Sequence, residues 1–223
     1  MYRAGRLVAI AVLAVVGLTL TACGATVDGS PTWPGARLEK AILTQGDFPP
    51  GVLYDRVVET PGQRDGAGGP SAMLSKPEGC TDGLTKVIAG SAERGPGSAA
   101  KYSAIYNGAR MVVTVLSGNL DLDKLAETAE RCAKFEAFFD PASKGIPMTT
   151  TRMPSDDGRL VYEQTMTLAG AQRSVFMVFE NIDSMSFFGI ASTYENAAID
   201  AKASLPQTFL DIVSKQADRI RAA

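Results

Sequence analysis

The last third of the chain constrains the fold most. Four extended runs follow one another there, at residues 148–153, 159–168, 172–180 and 184–192. The breaks between them, SDDG at 155–158, AGA at 169–171 and NID at 181–183, are turn chemistry. Strands joined by links this short pair antiparallel, because a parallel connection needs a crossover of about a dozen residues or more. The run VFMVF at 175–179 is apolar on both alternating faces. That marks a central strand covered from both sides, or one covered on one side with the other lining a cavity.

Upstream, KYSAIY and ARMVVTVL (101–106 and 109–116) flank Asn107-Gly108, the dipeptide preferred in tight hairpins. A first strand reads at 53–58, and 59–79 reads as a long Gly- and Pro-rich loop. Four helices are expected. They are a short one over 36–43, one over 83–91 capped by Asp82, a long one over 121–139, and a closing one over 205–220. In the long one Leu122, Leu125, Ala126, Ala129, Cys132 and Ala133 recur at helical spacing. In the last, Phe209, Ile212, Val213 and Ile220 form the apolar face. The expected fold class is α+β: a single domain with an antiparallel sheet of hairpins and a meander, packed with helices on one face.

The N-terminus carries a different message. Arg3 and Arg6 precede an uninterrupted apolar run over residues 7–20, too short to span a bilayer comfortably. A charged head, a short apolar middle and small residues at the end make a signal peptide. Leu20-Thr21-Ala22-Cys23 resembles the bacterial lipobox, in which cleavage precedes the cysteine and its thiol takes a diacylglycerol. The alternative is an ordinary secretory signal with a chance cysteine. The lipobox reading divides the chain into a signal peptide (1–22), a Gly- and Pro-rich tether (23–35, containing Trp33) and a folded domain (36–223). It makes the membrane, through diacylglyceryl-Cys23, the first partner, and places the domain on the extracytoplasmic side. Two acyl chains on one residue give stable anchoring.

Losing Arg3 and Arg6 leaves 20 basic residues against 24 acidic, a formal charge of −4, so nucleic acid is not an expected partner. With Cys23 lipidated, Cys80 and Cys132 remain as a pair. An oxidising compartment favours a disulfide between them over two buried thiols. The chain has no histidine, which removes Ser-His-Asp and Cys-His catalysis and every His-ligated metal site. No metal, cofactor or enzymatic activity is expected. Ser98-Ala-Ala-Lys101 matches the Ser-x-x-Lys pattern, but a Lys-Thr-Gly partner is missing. Asp121 and Asp123 suit a helix start better than a carboxylate pair across a sugar. Asp156 and Asp157 in the SDDG turn lack a full calcium ligand set. The candidates for a ligand surface are Phe176, Val178, Met185, Phe187 and Phe188, which serve equally well as plain core.

The lipobox, the tether, the opening LEKAILTQGDFPPGV, the pair Cys80 and Cys132, and the antiparallel tail together resemble mycobacterial and related actinobacterial lipoproteins. Within these, the domain is similar to the extracellular sensor domain of PknH-type kinases. The resemblance implies an antiparallel sheet with helices, a cleft for an unidentified small-molecule, lipid or protein ligand, and no catalysis. Two other functions compete with this one. A lipid or glycolipid carrier needs an apolar cavity, and an accessory envelope protein acts through a protein-binding surface. The kinase domain has two disulfides, where this chain can form one.

Overall fold

The computed structural model describes residues 34–57, 73–92, 97–155 and 158–223. Nine strands form one fully antiparallel sheet: β1 (Leu53–Val57), β2 (Leu74–Lys76), β3 (Ala99–Tyr106), β4 (Ala109–Leu116), β5 (Lys134–Phe138), β6 (Ile146–Arg152), β7 (Leu160–Leu168), β8 (Ala171–Ile182) and β9 (Met185–Ser192). Their spatial order is β1-β3-β4-β9-β8-β7-β6-β5-β2. The helices are α1 (Pro34–Ala41), α2 (Gly83–Ala92), α3 (Leu122–Arg131) and α4 (Gln207–Arg221). The α+β class, the single antiparallel sheet and the hairpin at Asn107-Gly108 all match expectation. Gly108 takes φ 111° and lies against the Ala203 carbonyl, so no side chain fits there.

The VFMVF run occupies β8, the fifth strand of nine, and Phe176, Met177, Val178 and Phe179 are all buried. Alternation sends Phe176 and Val178 into one core and Met177 and Phe179 into another. The larger core lies under α1 and α4. Leu38, Ile42, Phe209, Ile212 and Val213 pack there on Met111, Val113, Val178 and Phe187. Gly189 makes room for the Phe209 ring, which would lie 3.0 Å from any Cβ added there. A buried Arg159–Glu180 pair, 2.5 Å apart, ties β7 to β8, and Arg221 reaches the same carboxylate from α4 at 2.9 Å.

The smaller core lies on the opposite face. Val87 and Ile88 of α2 and Leu125 and Ala129 of α3 pack there on Leu116, Leu160, Tyr162 and Phe179. The helices therefore divide between both faces instead of gathering on one. Faces that are each partly apolar need separate covers.

Two segments differ from the sequence reading. The helix expected over 121–139 stops at Arg131, with Cys132 as its C-cap, and β5 follows as a strand. KFEAF alternates with period two as well as it continues a helical stripe. Phe135 and Ala137 turn inward, while Lys134 and Glu136 are exposed. Within the expected loop 59–79, residues 74–76 form the edge strand β2, paired with β5. The rest of that loop up to residue 72 lies outside the described residues.

Cys80, just before α2, is bonded to Cys132, at a Cα–Cα distance of 5.4 Å. Both are buried over Phe135, Ala137 and Ile146, so the bond fastens the α2–α3 pair to β5 and β6 as well as to each other.

Candidate functional site

The two helix pairs are offset. On the α1/α4 face, the strands beyond β8 carry Thr149, Thr151, Glu163, Thr165, Lys134 and Glu136, an ordinary polar surface. On the α2/α3 face, described helices cover β5 to β8 and the far end of β9 and β4. Over the near end of β1, β3, β4 and β9 no described helix or strand lies. The residues there are not an ordinary surface. Register places Leu53, Ile105, Arg110, Val112, Ile190, Ser192 and Val175 on that face. Leu53 is 54% exposed and Ile190 41%.

Six large hydrophobic side chains stand out as exposed among the described residues: Leu53, Leu74, Phe139, Leu168, Ile190 and Tyr194. All lie toward one end of the strands, where β1, β4 and β8 begin and β7 and β9 finish. The other end is closed by hydrogen bonds. Asn181 exchanges two with the Leu120 backbone, Ser186 donates to Gly118, and Arg37 donates to Ser184.

Charge follows the same division. Among the described residues, nine arginines occur, and six have polar partners: Arg37, Arg56, Arg131, Arg159, Arg219 and Arg221. The side chains of Arg110, Arg152 and Arg173 make no hydrogen bond or ion pair, and all three lie on the α2/α3 face. Gly108 and Tyr194 exchange backbone hydrogen bonds of 2.8 and 3.4 Å, which extends the β4–β9 pairing. That extension sets Tyr194 between Gly108 and the Arg173 position. Deeper on the same face, Thr114 is 3% exposed and its hydroxyl has no hydrogen-bond partner. Its cross-strand neighbours are Lys101 and Phe188.

Four of the five apolar candidates read from the sequence come together, inside a filled core. Phe176, Val178, Met185 and Phe187 belong to the core that α1 and α4 fill. Phe188 points to the other face and packs against the smaller core. Alternate residues of one strand cannot share a surface with their immediate neighbours.

Ser98 and Lys101 also part company, since residues three apart along an extended chain face opposite ways. Asp121 caps α3 by accepting from the Lys124 amide at 3.0 Å, and Asp123 sits in the first turn. Cys23, Trp33, Asp156 and Asp157 lie outside the described residues. Among the described residues, no three Cys, Asp or Glu side chains cluster closely enough to hold a metal, and no helix is long and apolar enough to cross a membrane.

Arg110, Arg173, Thr114 and Ile190 escaped the sequence reading, yet the signal was there. In ARMVVTVL one face is Ala109, Met111, Val113, Val115 and the other is Arg110, Val112, Thr114, Leu116. The mixed face was the informative one.

The fold class is thus a nine-stranded antiparallel sheet with helices on both sides, joined by one disulfide. No known protein-family profile matches the chain, and no curated protein sequence does. Two solved structures align with the chain. The extracellular domain of PknH from Mycobacterium tuberculosis aligns at 10% identity, over 87% of this chain and 100% of that one, with a TM-score of 0.55. An uncharacterized protein from Mycobacterium smegmatis, the Rv0999 ortholog, aligns at 13% identity, over 84% of this chain and 95% of that one, with a TM-score of 0.48. The chain therefore has the fold of the PknH extracellular domain, as the sequence resemblance implied.

Proposed function

We propose that the chain is an extracytoplasmic domain, held to the membrane by a lipid on Cys23, that binds a ligand and catalyses nothing. The observation that carries the binding function is the uncovered part of the α2/α3 face. A domain with helices enough for both faces leaves apolar and unpaired cationic side chains in the open at one end. Exposed apolar patches of this kind mark interaction sites. The location rests on the N-terminal pattern, and a domain of the same fold is extracellular in PknH. No activity is assigned, because the chain has no histidine and, among the described residues, the one carboxylate held by two guanidiniums, Glu180, is occupied in structure.

The test is fractionation of an actinobacterial host expressing the full chain or its Cys23→Ala variant, with a membrane-impermeant amine reagent applied to whole cells. Wild type should sediment with membranes and be labelled, and the variant should leave the membrane fraction. Membrane retention of the variant would remove the lipid anchor, and absence of labelling in wild type would remove the extracytoplasmic location.

A second function is supported by a separate observation. The exposed apolar side chains of this face continue past the patch to Leu168 on β7. That breadth fits an accessory protein with a protein-binding surface. A protein partner would shield Leu168 together with Ile190, whereas a small ligand would shield Ile190 alone.

A further inference from the structure

The open end of the α2/α3 face combines two features that its own fold does not use. The first is a pair of unpartnered cations. Arg110 is in register with Ser192, and Ser192 with Val175, two residues along β8 from Arg173. Strand spacing sets the two arginine backbones about 12 Å apart, within reach of one anionic group for two long side chains. The Ser192 and Tyr194 positions lie between them. Among the strands of this patch, one carboxylate, Asp55 on the edge strand β1, and one further cation, Lys101 of β3 in register with Thr114, share the face.

The second feature is an aliphatic strip leading inward. From the Arg110–Ser192 row, Val112 and Ile190 come next, followed by Thr114 and Phe188. Those four residues of strand run about 13 Å. Thr114, 3% exposed, closes the inner end of the strip.

Cations at the rim and aliphatic side chains behind them complement one kind of molecule. We propose that this patch binds a single-chain amphipathic anion of the fatty-acid class, its headgroup between Arg110 and Arg173 and its chain along Ile190 and Val112 toward Thr114. Guanidinium pairs suit carboxylate because each presents a planar fork of donors.

The occupant is an individual molecule, and the proposal rests on the binding function proposed above.

The test is native mass spectrometry of the full chain, extracted from host membranes in a non-ionic detergent. It is titrated with palmitic acid and, as the neutral counterpart, hexadecanol. One palmitate should bind, and hexadecanol should bind at least about tenfold more weakly. The double variant R110E/R173E should lose about tenfold or more in palmitate affinity. R152E, the third unpaired arginine at the far end of the same face, should leave binding unchanged. Amide exchange on wild type gives a second readout free of folding effects: palmitate should slow exchange at residues 108–112 and 190–194.

No palmitate adduct, equal binding by R110E/R173E, equal binding of hexadecanol, or protection elsewhere would each overturn the proposal. The membrane fraction from the same preparation reports on the anchor separately. Retention in membranes without palmitate binding sinks the ligand class alone, and palmitate binding by a chain found outside membranes sinks the anchor alone.

Discussion

The two halves of the sheet are covered by the same means and stabilised by different ones. Over β1, β3, β4 and β9, α1 and α4 bury a wide aliphatic and aromatic core, with Phe209 seated against Gly189. Over β5, β6 and β2 the strands are short, β2 having three residues, and the local core is Phe135, Ala137, Ile146 and partly buried methionines. A small apolar cluster contributes little, and there the chain spends its disulfide. The bond closes a separation of 52 residues, for which chain entropy gives about 4 kcal/mol. The lesson is that covalent constraint sits where packing is thin. The half that packs well leaves apolar side chains such as Leu53 and Ile190 exposed on its other face.

The sharpest way to break this comparison is to remove the packing from the first half. Phe209→Ala should cost about 3–5 kcal/mol, because the fully buried ring leaves a cavity between α4 and β9. Urea denaturation followed by circular dichroism measures it. A loss under about 1 kcal/mol would show that the α4 contact is not what holds that half together.

Next comes the other half. Cys132→Ser should lower stability by about 4 kcal/mol under oxidising conditions. Hydrogen exchange should quicken first in β2, β5 and α3 and least in β4 and β9. If Phe209→Ala and Cys132→Ser add within about 0.5 kcal/mol, the halves are energetically separate. A large non-additive remainder would mean that the central β8, buried on both faces, couples them. Equal melting of Cys132→Ser and wild type would mean that the bond contributes nothing.

Much of this division was legible in the residues. Turn clusters and alternation located β7, β8 and β9, and VFMVF announced a strand covered on both sides. The cysteine pair followed from redox compartment and elimination. What stayed hidden shares one cause. Residues 132–138 satisfy two periodicities, and only the packing of Phe135 and Ala137 beneath the disulfide chooses the strand. Strand order is likewise invisible, because register between distant strands is a tertiary property. Without it Arg110, Ser192 and Arg173, from three separate strands, could not be set side by side. Apolar residues drew attention as ligand candidates, yet a core is where such residues belong. The more telling signal was cationic side chains on an otherwise aliphatic face.

The smallest effect separates the halves by chemistry. In the first half the turn at residues 45–47 is clasped to α4. The Asp47 carboxylate accepts from the Thr44 amide at 2.8 Å and the Thr44 hydroxyl at 2.9 Å, and it pairs with Arg219 at 2.5 Å. Lys215 donates to the Asp47 carbonyl oxygen. Burial alone would push this carboxyl up, but the two Thr44 hydrogen bonds and the charges of Arg219 and Lys215 together hold it below the usual carboxylate range. A carboxyl lowered in the folded state contributes stability at neutral pH. That contribution fades as pH falls through the ordinary carboxylate value and is gone below the lowered one. Asp47→Asn should therefore cost about 1 kcal/mol at pH 7. The gap between variant and wild type should close as the pH falls below the lowered value. The disulfide has no such dependence, so acid should loosen the α1–α4 side while the β5–β2 corner holds. A gap that stays constant from pH 7 to 2 would mean that the clasp acts through shape and not through charge.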